Sequence, residues 1–119
     1  MGDVFALVLA GHVLGDFVAQ TDWQASNKER SWRADLAHVF TYHLILGLLV
    51  LPAWHDPRAF LFLGISAMTH GFLDRRWPTR RLLDSTWSAN FATTFWGVIA
   101  TDQALHVSIL AVSFYWLSH

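Results

Sequence analysis

Polar residues enter the apolar stretches of this chain at a helical interval. In "GHVLGDFVAQ" (11–20), His12, Asp16 and Gln20 recur every fourth residue, a spacing that stacks them on one face of an α-helix. "THGFLD" places His70 and Asp74 at the same spacing, and "DQALH" reverses the order with Asp102 and His106. The apolar runs around them are continuous and rich in Leu and Ala, without the alternation of a strand or a membrane barrel. The pattern therefore predicts an all-α fold in a single unit, residues 1–119. Helical segments are expected at about residues 3–20, 34–54 and 59–77, and Pro78 is expected to stop the third. The last apolar region, 88–117, is long for one crossing of a bilayer, which takes roughly 20 residues.

The placement of charge turns these helices into expected membrane spans. Apart from histidine, no charged side chain lies between Asp35 and Asp56, between Arg58 and Asp74, or between Asp84 and Asp102. A helix facing water would carry charges on its outer face every turn or two. The expectation is a polytopic membrane protein, a four-helix transmembrane bundle. Its first and third spans are short and borrow flanking residues. The acidic start "MGDVFALVLAG" lacks the basic residues of a cleavable signal, so the first run is expected to be a retained span. Seven of the eight Lys and Arg residues fall in the first and third connections: Lys28, Arg30, Arg33, Arg75, Arg76, Arg80 and Arg81. The positive-inside rule then puts those loops in the cytoplasm, with both termini outside. Trp23, Trp32, Trp54, Trp77 and Trp116 lie near span ends, as interfacial anchors do. "RRWPTRR" (75–81) reads as a topology determinant whose arginines, Arg75, Arg76, Arg80 and Arg81, meet lipid headgroups rather than nucleic acid.

Ionisable residues inside membrane spans are costly and normally face the bundle interior. Each segment brings some: His12 and Asp16, then His38 and His43, then His70 and Asp74, then Asp102 and His106. Depth tests whether they can meet. If the last helix began at residue 88, Asp102 and His106 would lie about 21–27 Å deep, away from the others. A crossing over about 98–117 restores a common level, and makes residues 83–96 a separate interfacial or re-entrant helix. Imidazole nitrogen and carboxylate oxygen are the ligands of hydrolytic zinc, with manganese or iron as alternatives. His12, Asp16, His38, His70, Asp74, Asp102 and His106 are the expected metal ligands, enough for one ion or for two sharing a carboxylate. Gln20 and Gln103 would stand behind them and orient ligands or water. His43 reads as a packed histidine; His55 and His119 need no function.

The residues thus point to a metal-dependent membrane hydrolase acting on a lipidic or headgroup substrate. Asp102 would serve as a further ligand or as the general base toward metal-bound water. Two other readings stay open: a membrane interaction protein with a structural metal or His/Asp hydrogen bonds, and a small ion or proton conductor. An oligomer is open as well. The absence of cysteine excludes disulfides and thiolate metal sites. Ser66 and Ser85 have no context of a nucleophile, and HExxH, GxSxG and phosphate-loop motifs are missing.

The motifs "HVLGDFVAQTDWQASNK" (12–28), "LAHV" (36–39), "THGFLDRR" (69–76) and "DQALH" (102–106) occur in that order. Together they resemble domain of unknown function family 3307, small bacterial and phage membrane proteins, over nearly the whole chain. Position by position the resemblance singles out His12, Asp16, Gln20, Lys28, His38, His70, Asp74, Asp102, Gln103 and His106. Arg75 or Arg76 stands near where members often have lysine. The resemblance implies a fold and a motif, not a reaction.

Overall fold

The computed structural model describes residues 1–84 and 95–119, and all regular structure among them is helical. Helix α1 (Gly2–Val13) passes directly into a π-helical turn, Leu14–Val18, where the Ala19 N–H donates to the Leu14 carbonyl at 2.8 Å. Such turns insert one extra residue per turn and recur at functional sites; this one carries Asp16. The first connection is not a plain loop. Thr21 starts a short helix, α2 (Asp22–Asn27), through a capping box in which Thr21 and Gln24 exchange hydrogen bonds at 3.1 and 3.2 Å. Ser31 caps α3 (Trp32–Val50), accepting from the Ala34 N–H.

Helix α4 (Arg58–Asp74) begins beside Asp56, whose carboxylate accepts from the Arg58 guanidinium at 2.7–3.1 Å and is held below its ordinary pKa by it. Pro78 does not end this helix as expected. The break comes earlier, at Arg76, whose φ of 62° is left-handed. Pro78 instead sits in the first turn of α5 (Trp77–Asp84), where its missing N–H leaves no bond unmade. Helix α6 (Phe95–Ser118) completes the described chain. The interfacial helix expected at 83–96 lies mostly outside the described residues; α5 precedes it and α6 begins at Phe95.

One described helix segment, Gly97–Ser118 of α6, is long and apolar enough to cross a membrane by itself. The expected four crossings are not matched one for one. Helices α1 and α4 have 12 and 17 residues, short of the roughly 20 that a crossing takes. Helix α3 has 19, diluted by Arg33, Asp35, His38 and His43.

Helix α3 packs on α1 and α4, and α6 packs on α4 and α1, which closes a ring of four. The interior has two layers. Toward the chain ends and the α3–α4 connection it is apolar, built from Val4, Val8, Leu46, Val50, Phe62, Leu110 and Phe114. Trp54 belongs to this layer and is not an interfacial anchor: it is buried, with its ring 5.2 Å from Phe114 and 5.8 Å from Phe62. Trp23, Trp32 and Trp116 are exposed. Beyond Tyr42 the interior turns polar, and α2 and α5 cover that end.

Close approach of α1 to α3 depends on two glycines. A Cβ at Gly11 would stand 2.7 Å from Leu46 Cδ1 and 3.2 Å from Leu46 Cα, and one at Gly15 would stand 2.6 Å from Tyr42 Cδ2. Small residues at such crossings let backbones meet. Gly11→Leu is expected to force α1 off α3 and lower the unfolding temperature in detergent, by the equivalent of about 1–3 kcal/mol or more. Gly64→Ala, with nothing within 4 Å of the added methyl, is expected to leave it unchanged or raise it. Equal effects of the two substitutions in a thermal melt would contradict the close-packing account.

Candidate metal centre

Four side chains from three helices meet at the polar end: Asp16 on the π-turn, His38 on α3, and His70 and Asp74 on α4. All are buried. His38 Nε2 lies 2.9 Å from Asp16 Oδ1, 3.0 Å from Asp74 Oδ2 and 3.0 Å from His70 Nε2. His70 Nε2 lies 2.9 Å from Asp74 Oδ2 and 3.4 Å from Asp16 Oδ1. Each residue offers one ligand atom, and the four atoms all lie within 4.8 Å of one another. A tetrahedral ion with bonds of about 2.0–2.1 Å sets its ligand atoms about 3.3 Å apart. Five of the six separations within this cage of two nitrogens and two oxygens run from 2.9 to 3.4 Å, near that spacing.

A second group shares a member with the first. Asp74, Asp102 and His106 also bring three ligand atoms within 4.8 Å, all buried. His106 Nε2 stands 3.2 Å from Asp74 Oδ1. His106 Nδ1 lies 2.7 Å from the Asp102 backbone carbonyl, which can only accept, so Nδ1 holds a proton and donates there. Asp102 Oδ1 accepts from the Thr79 hydroxyl at 3.2 Å, which ties α5 to α6.

His12 enters neither group. Its Nε2 is 2.7 Å from Gln103 Oε1, and its Nδ1 is 2.8 Å from the Tyr42 hydroxyl. The direction of every proton in this chain follows from the acceptor-only oxygens. Tyr42 donates to His12, His12 donates to Gln103 Oε1, and the Gln103 amide donates to Asp16 Oδ2 at 2.7 Å. His12 therefore acts on Asp16 through Gln103, and Asp16 Oδ1 remains for the cage. Gln20 donates to the Asp16 carbonyl at 2.6 Å and accepts from Lys28 at 3.3 Å. His43 is satisfied within the bundle, donating to the Val39 carbonyl at 2.7 Å and accepting from Ser66 Oγ at 2.9 Å.

The structure adds members that pattern alone did not bring in. Lys28, counted above as a loop charge and singled out only by resemblance, is buried, with Nζ 3.6 Å from Asp74 Oδ2 and 4.0 Å from Asp16 Oδ1. The capped turn of α2 delivers it, and Gln24 pins that turn to Thr41 of α3 at 3.3 Å. Asp35, one turn before His38, is fully buried with neither carboxylate oxygen hydrogen-bonded. Tyr42 and Thr79 carried no sequence signal, because each acts through a partner on another helix.

The expected headgroup arginines lie beside this end. Arg75 stacks over the Trp32 ring at 4.3 Å and donates to the Lys28 carbonyl at 3.4 Å. Arg80 pairs with Glu29 at 2.8 Å, and Arg76 lies 3.8 Å from the same carboxylate. Arg81 is exposed on α5.

No curated protein and no solved structure matches the chain. The residues that build the centre, from Asp16 to His106, fall inside a single family match spanning residues 4–119, and the chain belongs to that family, described as Protein of unknown function (DUF3307).

Proposed function

We propose that this chain is a membrane-embedded protein that holds a divalent ion, zinc foremost, between Asp16, His38, His70 and Asp74, and hydrolyses a lipidic or headgroup substrate there. The observation that carries the reading is the cage: four buried ligand atoms, two imidazole and two carboxylate, at separations near those of a tetrahedral site. A bound ion offsets the cost of burying those carboxylates and occupies the imidazole lone pairs. An ion at this centre with a position left open would acidify a bound water toward neutrality and polarise a carbonyl or phosphoryl oxygen.

A bilayer setting is supported by the inverted distribution of side chains. Val18, Phe40, Leu48, Met68 and Trp116 stand on the outside, while four histidines (His12, His38, His70, His106) and four aspartates (Asp16, Asp35, Asp74, Asp102) are buried. Continuous apolar exteriors of this kind suit lipid rather than water. Arg75, Arg76, Arg80 and Arg81 at the polar end suit an anionic headgroup. Four protein ligands also favour a second reading, a structural ion in a membrane interaction protein, since catalytic zinc keeps one position open.

Elemental analysis of detergent-purified protein, prepared without chelators, is expected to find at least one divalent ion per chain. His70→Ala and Asp16→Ala are expected to lose it. Protein free of stoichiometric metal would sink the proposal. Metal-loaded protein that leaves ester and phosphoester lipids intact in mixed micelles would favour the structural reading.

Gln103→Leu removes the link between His12 and Asp16 while sparing every cage ligand. Loss of such an orienting partner is expected to weaken metal affinity about 10–100-fold, read by competition with a chromophoric chelator. Unchanged affinity would show that the chain from Tyr42 to Asp16 does not position the ligand.

For topology, a reporter that fluoresces only in the cytoplasm, fused after His119, is expected to stay dark. A bright fusion would overturn the outward placement of the termini.

A further inference from the structure

We propose a second divalent-ion site formed by Asp74, Asp102 and His106, joined to the cage by Asp74 as a bridging carboxylate. It rests on the metal reading of the cage and adds a second ion with a different coordination. The two oxygens of Asp74 face different groups: Oδ2 lies 3.0 Å from His38 Nε2 and 2.9 Å from His70 Nε2, while Oδ1 lies 3.2 Å from His106 Nε2. A carboxylate set between two ions presents its oxygens in this way.

Three orphaned atoms support the assignment. Asp74 is fully buried and His106 nearly so, yet neither Asp74 oxygen nor His106 Nε2 has a hydrogen-bond partner. His106 spends its Nδ1 proton on the Asp102 carbonyl, and its Nε2 faces Asp74 Oδ1 at 3.2 Å without a hydrogen bond between them. Buried polar atoms without partners are rare, and each asks for a reason. A cation between them supplies one.

Charge points the same way. Four aspartates, Asp16, Asp35, Asp74 and Asp102, are buried among the described residues, and Lys28 is the one buried Lys or Arg there. Besides the histidines that face these carboxylates, that ammonium is the one permanent positive charge among the described buried residues, and divalent ions would offset what remains.

The two sites differ in what they leave free. The cage has four protein ligands and is saturated for a tetrahedral ion. The second group has three, and three protein ligands with one open position is the arrangement of catalytic zinc. A small cavity lined by Ser66, Thr69, His70, Leu73 and His106 adjoins it. The division of labour is then a saturated ion that sets the geometry and an open ion that receives a water or a substrate oxygen.

Cobalt(II) titration of metal-stripped wild-type protein in detergent tests this. Visible absorption is expected to saturate at two equivalents per chain. The paramagnetic signal of the first should diminish as the second couples to it through Asp74. His106→Ala is expected to stop at one equivalent. Thr79→Val, which keeps all ligands but frees Asp102, is expected to weaken the second equivalent about 10–100-fold and spare the first. Saturation of the wild type at one equivalent would overturn the second site and leave the cage standing. Binding of no cobalt at all would overturn the cage as well. If His106→Ala does not fold, the wild-type stoichiometry and coupling still decide.

Discussion

The centre is organised around one carboxylate. Asp74 has no exposed surface, and its oxygens are approached by His38, His70, His106 and Lys28, from three helices and the end of a fourth. An ionised carboxylate taken out of water costs several kcal/mol unless it is paired. Moving any of α3, α4 or α6 by an ångström removes one of its neighbours. The polar end of the bundle is thus specified by charge compensation, while the opposite end is specified by shape.

Those two specifications share the same helices. Gly11 and Gly15 bring α1 against Leu46 and Tyr42, and this contact carries the π-turn and Asp16 into the centre. Tyr42 stands at the junction. It closes the apolar layer with its ring, 4.0 Å from that of His70, and opens the polar layer with its hydroxyl on His12. The short helices finish the job from outside the ring: α2 delivers Lys28, and α5 delivers Thr79 to Asp102.

Much of this was legible in the chain. The i,i+4 pairs His70/Asp74 and Asp102/His106, with His38 and Asp16, name the members of both groups, because helical spacing fixes which residues share a face. The last apolar region does hold a described helix segment, Gly97–Ser118, that is long and apolar enough to cross a membrane. What pattern missed is tertiary. His12 has the spacing of a ligand but faces Gln103 and Tyr42, since spacing says which face a residue occupies and not what stands opposite. Lys28 sits in a charged connection and looks solvated until the Thr21 cap and the Gln24–Thr41 bond fold that connection back. Pro78 is a stop signal in sequence, yet the left-handed Arg76 had already broken the helix two residues earlier. Trp54 lies at the end of an expected span but is drawn into the core by Phe62 and Phe114.

The layering also discriminates among functions. A conductor of ions or protons needs polar groups along the whole length of its path. Among the described residues the buried ionisable groups occupy one end, and the interior beyond Tyr42 is filled by Val8, Leu46, Val50, Phe62, Leu110 and Phe114. The hydrogen-bonded chain from Tyr42 through His12 and Gln103 ends on Asp16 and goes no further toward that layer. Its directions are fixed by acceptor-only oxygens, which orients a ligand well and passes protons poorly. A polar centre sealed on its apolar side, with a hydrogen-bonded chain that ends on the Asp16 carboxylate, supports the proposal of cations held in place over that of a conducting path.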